Sequence, residues 1–479
     1  MKNVALSTVD AIVVGAGPNG LAAAITLAER GHSVRVYEAA DTPGGGCRTA
    51  ELTLPGFHHD VCATVHALAL VSPFFATVDL EALGVRMCTP EIAYAHPLDG
   101  GRAGLLFQDV ERTADGLGAT DGRRWSRVFG PLARHAKQLW PEVLSSLRRV
   151  PRHPVPLVRF GLPSLLPATG LAGRFDSDEA RGLFTGAAAH SMRRLSVPGT
   201  AAFGMALVTS AHSVNWPVVE GGSGRLIDAL VQRLTDLGGE VVCSSPVTAL
   251  ADLPPARTRL LDVSPRQFLR MAGGELPAAY ARRLARFRYG DGAFKVDWAL
   301  SGPVPWSAPG VERAGTVHVG GTMEEIAAAE GSVENGKHPE RPYVLTVQSS
   351  VMDRTRAPDG QHTLWAYCHI PNGSTRDMTE VMENQIERFA PGFRDLILAR
   401  HTRNPMEYEA YDANYVGGDI NAGLASLYQS ALGPVPQWSR YRTAMPDTYL
   451  CSSSTAPGGG VHGMSGMLAA QEALRHSLA

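Results

Sequence analysis

The residues best suited to chemistry in this 479-residue chain lie near its two ends and on one interior strand. Gly15, Gly17 and Gly20, with Pro18 and Asn19 between them, have the spacing of a phosphate-binding turn, and Glu38 follows downstream. Gly15 permits the tight turn, Gly17 lets the backbone approach a pyrophosphate, and Gly20 lets a helix pack against a sheet. The helix N-terminus then turns free N–H groups and a positive dipole end toward the phosphates, while Glu38 accepts hydrogen bonds from ribose hydroxyls. Near the other end, residues 457–466 carry three consecutive glycines, whose missing side chains let backbone N–H groups approach a ligand closely. His462 sits inside that turn, where it acts either as an acid or base near neutral pH or as a cap of the turn. On the interior strand, alternation puts Ala293, Lys295 and Asp297 on one face and Phe294, Val296 and Trp298 on the other.

These groups need elements to hold them. Residues 10–14 read as an apolar strand, 21–30 as a helix closed by Gly31, and 33–37 as a second strand ending at Glu38. Strand, glycine turn, helix, strand and acid in this order define a dinucleotide site far better than the glycines alone. Residues 449–455 read as a strand entering the second glycine turn, and a helix follows from about Met467. Further strands are expected at 293–300, 316–320, 344–349 and 363–369. A second glycine cluster at Gly221, Gly222 and Gly224 has Ile227 where a third phosphate-site glycine would stand, so no second dinucleotide site is expected.

The segment from Glu38 to Thr49 resembles the second flavin motif of the amine-oxidase and phytoene-desaturase superfamily. Gly44 and Gly45 match its diglycine and Thr49 its hydroxyl position, while Gly46 replaces the usual arginine and Arg48 stands nearby. The wording of 55–60, 294–300, 417–420, 441–443 and 457–466 is similar to one branch of that superfamily, the pyridine-nucleotide-disulphide oxidoreductase domain protein 2 type. This resemblance implies FAD. It implies contacts from Gly15, Gly17, Pro18, Asn19, Gly20, Glu38, Ala39, Gly44, Gly45, Gly46, Cys47, Arg48 and Thr49. From later in the chain it adds Val247, Ser453, Gly459, Gly460, Val461, His462 and Met464. It also implies an α/β fold, with a Rossmann-like FAD-binding domain and an α+β substrate domain made of a mixed sheet, helices on one side and a helical lid. The flavin domain would collect residues 1–90, 205–290 and 405–479, and the substrate domain 91–204 and 291–404. Amine oxidases carry a lysine on the strand matching 293–300, where it holds a water near flavin N5. Lys295 either plays that part or is a solvated lysine paired with Asp297.

Composition limits the alternatives. The chain is 44% hydrophobic with a net charge of −2, which gives no case for a nucleic-acid partner. Its six cysteines are scattered, without a CxxC pair or metal-ligand spacing, so neither a redox disulfide nor structural zinc is expected. The first strand begins too early for a signal peptide and no apolar run spans a bilayer, so a cytoplasmic location is expected. Residues 123–174 carry Arg123, Arg124, Arg127, Arg134, Lys137, Arg148, Arg149, Arg152, Arg159 and Arg174 against the single acid Glu142. Trp125, Phe129, Leu132, Leu139, Trp140, Leu144 and Leu147 lie among them. The stretch is either a helical lid with solvated arginines or a surface for peripheral docking on an anionic membrane.

The expected activity is FAD-dependent dehydrogenation, desaturation or oxidation of a largely apolar small molecule by hydride transfer to flavin N5, with oxygen or a quinone as electron acceptor. Lys295 and His462 are the candidate catalytic residues. Amine oxidation, flavin-dependent isomerisation of a polyene and, last, non-enzymatic lipid binding are the rivals.

Overall fold

The computed structural model describes residues 9–145 and 150–479, so Leu147, Arg148 and Arg149 lie outside the described residues. Two sheets organise the chain. The first is wholly parallel, in the order Thr448–Leu450, Ala256–Leu261, Val9–Val14, Val34–Tyr37 and Glu240–Val242. Its central strand is buried at Ala11, Ile12, Val13 and Val14, as a parallel sheet covered on both faces requires. Helix Pro18–Ala28 follows the glycine turn and packs against the C-terminal helix Met464–His476 and helix Gly224–Asp236. Helices Pro18–Ala28 and Met464–His476 touch where a side chain is missing, since a Cβ on Gly466 would collide with the Asn19 carbonyl, and within the turn a Cβ on Gly20 would collide with the Gly15 carbonyl. The fold is therefore Rossmann-like at this end, and chain termini far apart in sequence close one layer over the sheet.

The second sheet is mixed, in the order Ile397–Arg403, Gly292–Leu300, His362–Ile370, Val344–Val347, Ala314–Val319, Ile92–Leu98 and Arg102–Leu106. Its pairs are antiparallel except that of Ala314–Val319 with Ile92–Leu98. The expected alternation on Gly292–Leu300 holds. Phe294, Val296 and Trp298 face one core with Met382, Ile386 and Phe389 of helix Thr379–Phe389, and Trp298 donates its indole N–H to Glu383 Oε1 at 2.9 Å. Ala293, Trp365 and Tyr367 face the other core, under helices Asp178–Ala189 and Ala201–Val214. Helices thus cover both faces, not one, because each face carries large apolar side chains, Phe294, Val296 and Trp298 on one and Trp365 and Tyr367 on the other, and each needs a cover.

The expected strands appear within a few residues of their sequence positions. Before Val247, Glu240–Val242 forms the edge strand of the parallel sheet. Beyond it, Ser244 and Ser245 donate backbone N–H groups to the Ala40 and Glu38 carbonyls at 2.7 and 2.8 Å. The basic segment forms helices Gly118–Arg134, Ala136–Val143, Pro154–Ser164 and Ala168–Ala172. Trp125, Phe129, Leu132, Leu139 and Trp140 are buried, so the first two helices turn their apolar faces inward and leave Arg123, Arg127, Arg134 and Lys137 to solvent.

Candidate functional site

A cavity of about 730 Å³ opens outside the carboxyl ends of the parallel strands and runs to the face of the mixed sheet that carries Trp365 and Tyr367. This is where ligands sit in open α/β sheets, because strand ends and helix N-termini converge there. Gly15, Gly17, Pro18, Asn19, Glu38, Ala39, Gly45, Gly46, Cys47, Arg48, Val247, Ser453, Gly459, Gly460 and Val461 line it. Gly20, Gly44, Thr49, His462 and Met464 stand behind that wall.

The glycine turn is held from several sides. Gly15 donates to the Tyr37 carbonyl at 2.8 Å with φ of 100°, a conformation that side chains resist. Glu38 Oε2 accepts from the Ala16 N–H at 2.7 Å and Oε1 from the Ala40 N–H at 2.9 Å, so the acid fastens the turn as well as lining the cavity. A Cβ on Gly45 would lie 3.3 Å from the Gly17 Cα, and one on Gly46 would collide with the Tyr415 hydroxyl. Only glycine leaves that cradle open. Asn19 Nδ2 donates to Ser453 Oγ at 3.1 Å, joining the two glycine turns, while its buried Oδ1 has no partner among the described residues.

Arg48 is spent on its own loop. Its guanidinium donates to the Thr42 carbonyl at 2.6 Å and the Tyr411 hydroxyl at 3.0 Å, with Glu38 Oε1 at 3.5 Å. Thr49 Oγ1 donates to Asp60 Oδ1 at 2.7 Å and accepts from the Gly224 N–H at 3.0 Å, tying the loop to the next helix. His462 is buried with both ring nitrogens committed. Nδ1 accepts from the Met464 N–H at 3.0 Å and Nε2 donates to the Gly458 carbonyl at 3.1 Å. Burial pushes its pKa down to about 4. Cys47 is buried too, and burial drives its thiol far above the usual range.

Lys295 does not reach the cavity. Its Nζ pairs with Asp297 Oδ2, both side chains being buried, and lies 5.6 Å from the ring centroid of Trp365, which does line the cavity. His59 Nδ1 and His401 Nδ1 approach the same carboxylate at 3.5 and 3.6 Å. Burial pulls the lysine pKa down against the Asp297 charge, and Lys295 holds the Asp297 carboxyl low although burial opposes it.

Two groups escape sequence reading. Asp262 follows strand Ala256–Leu261, and its Oδ2 accepts from the Gly20 N–H at 2.8 Å beside the phosphate turn. Burial pushes its pKa up to about 8, against that hydrogen bond, so it is mostly protonated at neutral pH. An acid at the carboxyl end of a parallel strand was the available signal. His190 ends helix Asp178–Ala189 and lines the cavity, with its Nε2 3.2 Å from His318 Nε2. Burial lowers His190 to about 3 and pulls His318 well below its ordinary value, so both rings are neutral and one donates to the other. No local pattern marks a residue that only tertiary packing brings to the wall.

Residues 13–76 match the NAD(P)-binding Rossmann-like domain family. The chain is 25% identical over 553 aligned residues to a pyridine nucleotide-disulfide oxidoreductase domain-containing protein 2 of Rattus norvegicus, covering 97% of this chain and 93% of that one. It is 28% identical over 256 residues, half of each chain, to a hydroxyneurosporene desaturase of Cereibacter sphaeroides. A putrescine oxidase solved with putrescine bound shares the fold, with a TM-score of 0.64, 18% identity, and coverage of 97% of this chain and 98% of that one. The chain is an oxidoreductase with a Rossmann-like dinucleotide-binding domain, similar in sequence to these oxidoreductase-domain and desaturase proteins and in fold to an amine oxidase. Similarity over nearly the whole chain extends to the pyridine nucleotide-disulfide oxidoreductase domain-containing protein 2 of Mus musculus, again at 25% identity. All six cysteines of this chain are free, so that name describes no disulfide here.

Proposed function

We propose that the cavity takes FAD along the glycine turns and a largely apolar organic substrate against the mixed sheet, and that the enzyme dehydrogenates or desaturates that substrate. The observation that carries this is the division of one continuous cavity. Its acidic lining residues, Glu38, Asp262 and Asp412, cluster at the glycine end: Glu38 bonds Ala16, Asp262 bonds Gly20, and Asp412 faces Gly45. The far end is built from Phe203, Leu207, Trp216, Leu345, Val347 and Trp365, without a carboxylate. A cationic amine would find no counter-charge there, which favours a neutral substrate over the amine-oxidase reading.

FAD, when bound, supplies a hydride acceptor. The residues supply position and dryness. The Gly17 N-cap, Gly45 and Gly460 leave backbone room for the dinucleotide, and the unpartnered Asn19 Oδ1 is a free acceptor toward it. Trp216, Trp365 and the aliphatic wall exclude water and orient a C–H bond, the positioning that hydride transfer needs. His190 offers a neutral polar contact fixed by His318. Lys295 acts as a positioning residue behind Trp365, while His462 shapes the glycine turn. Oxygen or a quinone then takes the electrons.

The test is the colour of the purified protein and its anaerobic bleaching by a panel of polyenes, alcohols and amines. Bleaching by neutral apolar compounds, with colour returning on air or on added quinone, supports the reading. A colourless protein unable to take up FAD overturns it, and bleaching by amines alone would move the assignment to amine oxidation. Isomerised polyene without bleaching would move it to an isomerase.

A further inference from the structure

Helix Pro154–Ser164 presents its apolar side outward. Val155, Val158, Leu162 and Leu165 fall on one stripe at helical spacing, and all are more than half exposed, Leu162 at 64%. The opposite side is buried through Phe160 and Ser164 on the helical layer that includes Ala201–Val214. The stripe continues past the helix: Gly199 donates to the Leu165 carbonyl at 3.1 Å, and the side chain of Leu427, itself exposed, packs over Gly199. Tyr428 stands beside it at 61% exposure. Soluble monomers rarely leave so many large aliphatic side chains together in water, and such patches mark interaction surfaces.

The surrounding charge selects the partner. Residues 150–175 contain no Asp or Glu, while Arg152, Arg159 and Arg174 are exposed. Arg159 adjoins Val158 directly in the chain. A second copy of this surface would bring arginine against arginine across a two-fold axis. An anionic lipid surface complements both features, because it accepts an apolar stripe at the acyl boundary and pairs cations with headgroups. No helix among the described residues is long and apolar enough to cross a membrane, so contact through this stripe would be peripheral.

We infer that helix Pro154–Ser164, with Leu165, Leu427 and Tyr428, docks the protein on an anionic bilayer surface. The consequence for function rests on the apolar-substrate reading. Helix Ala201–Val214, which carries the docking helix, also contributes Phe203 and Leu207 to the cavity wall. A water-insoluble substrate could then pass from lipid to cavity across one helix. The arginine-rich helices Gly118–Arg134 and Ala136–Val143 are not the apolar contact, because their large side chains point into the core.

The experiment is co-sedimentation of the full-length protein with phosphatidylcholine vesicles and with vesicles of phosphatidylcholine and phosphatidylglycerol in equal parts. The wild type is expected to sediment with the anionic vesicles and to be released by salt. Val158→Glu and Leu162→Glu are each expected to cut binding about tenfold, given what burying one aliphatic side chain contributes. Circular dichroism and FAD content, read on the same samples, verify that the variants are folded. Equal binding of Leu162→Glu and wild type, or no binding of the wild type to anionic vesicles, overturns the inference. A wild-type dimer in light scattering that Leu162→Glu makes monomeric overturns it in favour of self-association. Vesicle binding is read without turnover, so its failure and that of the apolar-substrate reading are separable: a protein that misses the vesicles yet bleaches with polyenes loses only the docking surface.

Discussion

Two buried ionisable groups near the cavity make opposite demands on the fold. Asp262 has a folded pKa of about 8, raised by burial above its ordinary value of 3.8. The folded state therefore keeps a proton that the unfolded chain has lost, so stability falls as pH rises from about 4 to about 8. Asp262→Asn keeps an oxygen for the Gly20 N–H and removes that penalty. We expect its cofactor-free form to melt at least ~2 °C above wild type at pH 8 and level with it at pH 4, by calorimetry at both pH values. Lys295 poses the other case. Lys295→Met leaves Asp297 buried without its nearest cation, at a cost of about 3–5 kcal/mol in urea unfolding, whereas Lys295→Met with Asp297→Leu recovers most of it. That stable double variant decides the positioning role. Slower flavin reduction or reoxidation is expected, and unchanged rates would leave Lys295 structural only.

At the scale of elements, the close approach of helices Pro18–Ala28 and Met464–His476 is set by glycine. Gly466→Ala places a methyl group against the Asn19 carbonyl, which is backbone and cannot swing aside. The expected result is a loss of about 3 kcal/mol or more and, on the FAD reading proposed above, a colourless purified protein, read by urea melt and visible absorbance. Gly31→Ala is the contrast. It meets no atom within 4 Å, although its φ of 82° carries a modest backbone cost, so chromophore retention should be unchanged. These elements were legible because their signals are local. The glycine turn, Glu38 and the alternation at Gly292–Leu300 each follow from residues within one strand or turn of each other. The outward apolar stripe was less legible. Val155, Val158, Leu162 and Leu165 have the spacing of a core-facing helix, and nothing local says that Phe160 and Ser164 take the buried side.

Across the whole molecule, histidines are the acid-sensitive feature. Burial lowers His59, His66, His96, His212 and His462 to about 4 and His190 to about 3. A depressed folded pKa means that the unfolded chain binds more protons once pH drops below about 6.5, so stability is full above that value and lost as pH falls toward 4. Cooperative unfolding between about pH 6 and pH 4 is expected in a tryptophan-fluorescence titration. Because these rings stand in the mixed sheet, in the helical layer over it and in the glycine turn beside the parallel sheet, both halves of the molecule should unfold in the same transition. Two separate acid transitions would show that the sheets are not coupled.

What the residues alone determined is the dinucleotide half of the site. Phosphate recognition by backbone N–H groups depends on where side chains are absent, and absent side chains are visible in one dimension. What the tertiary structure decided is which polar groups meet the ligand and which serve the scaffold. Lys295 and His462 have the right types at the right places along the chain, yet Asp297 and the glycine-turn backbone take up their polar atoms. Asp262 is marked only by its place after a parallel strand and His190 by nothing local, and both nevertheless reach the wall. A side chain's partners are fixed by burial and by contacts between distant segments, and those exist only once the two sheets have closed on each other.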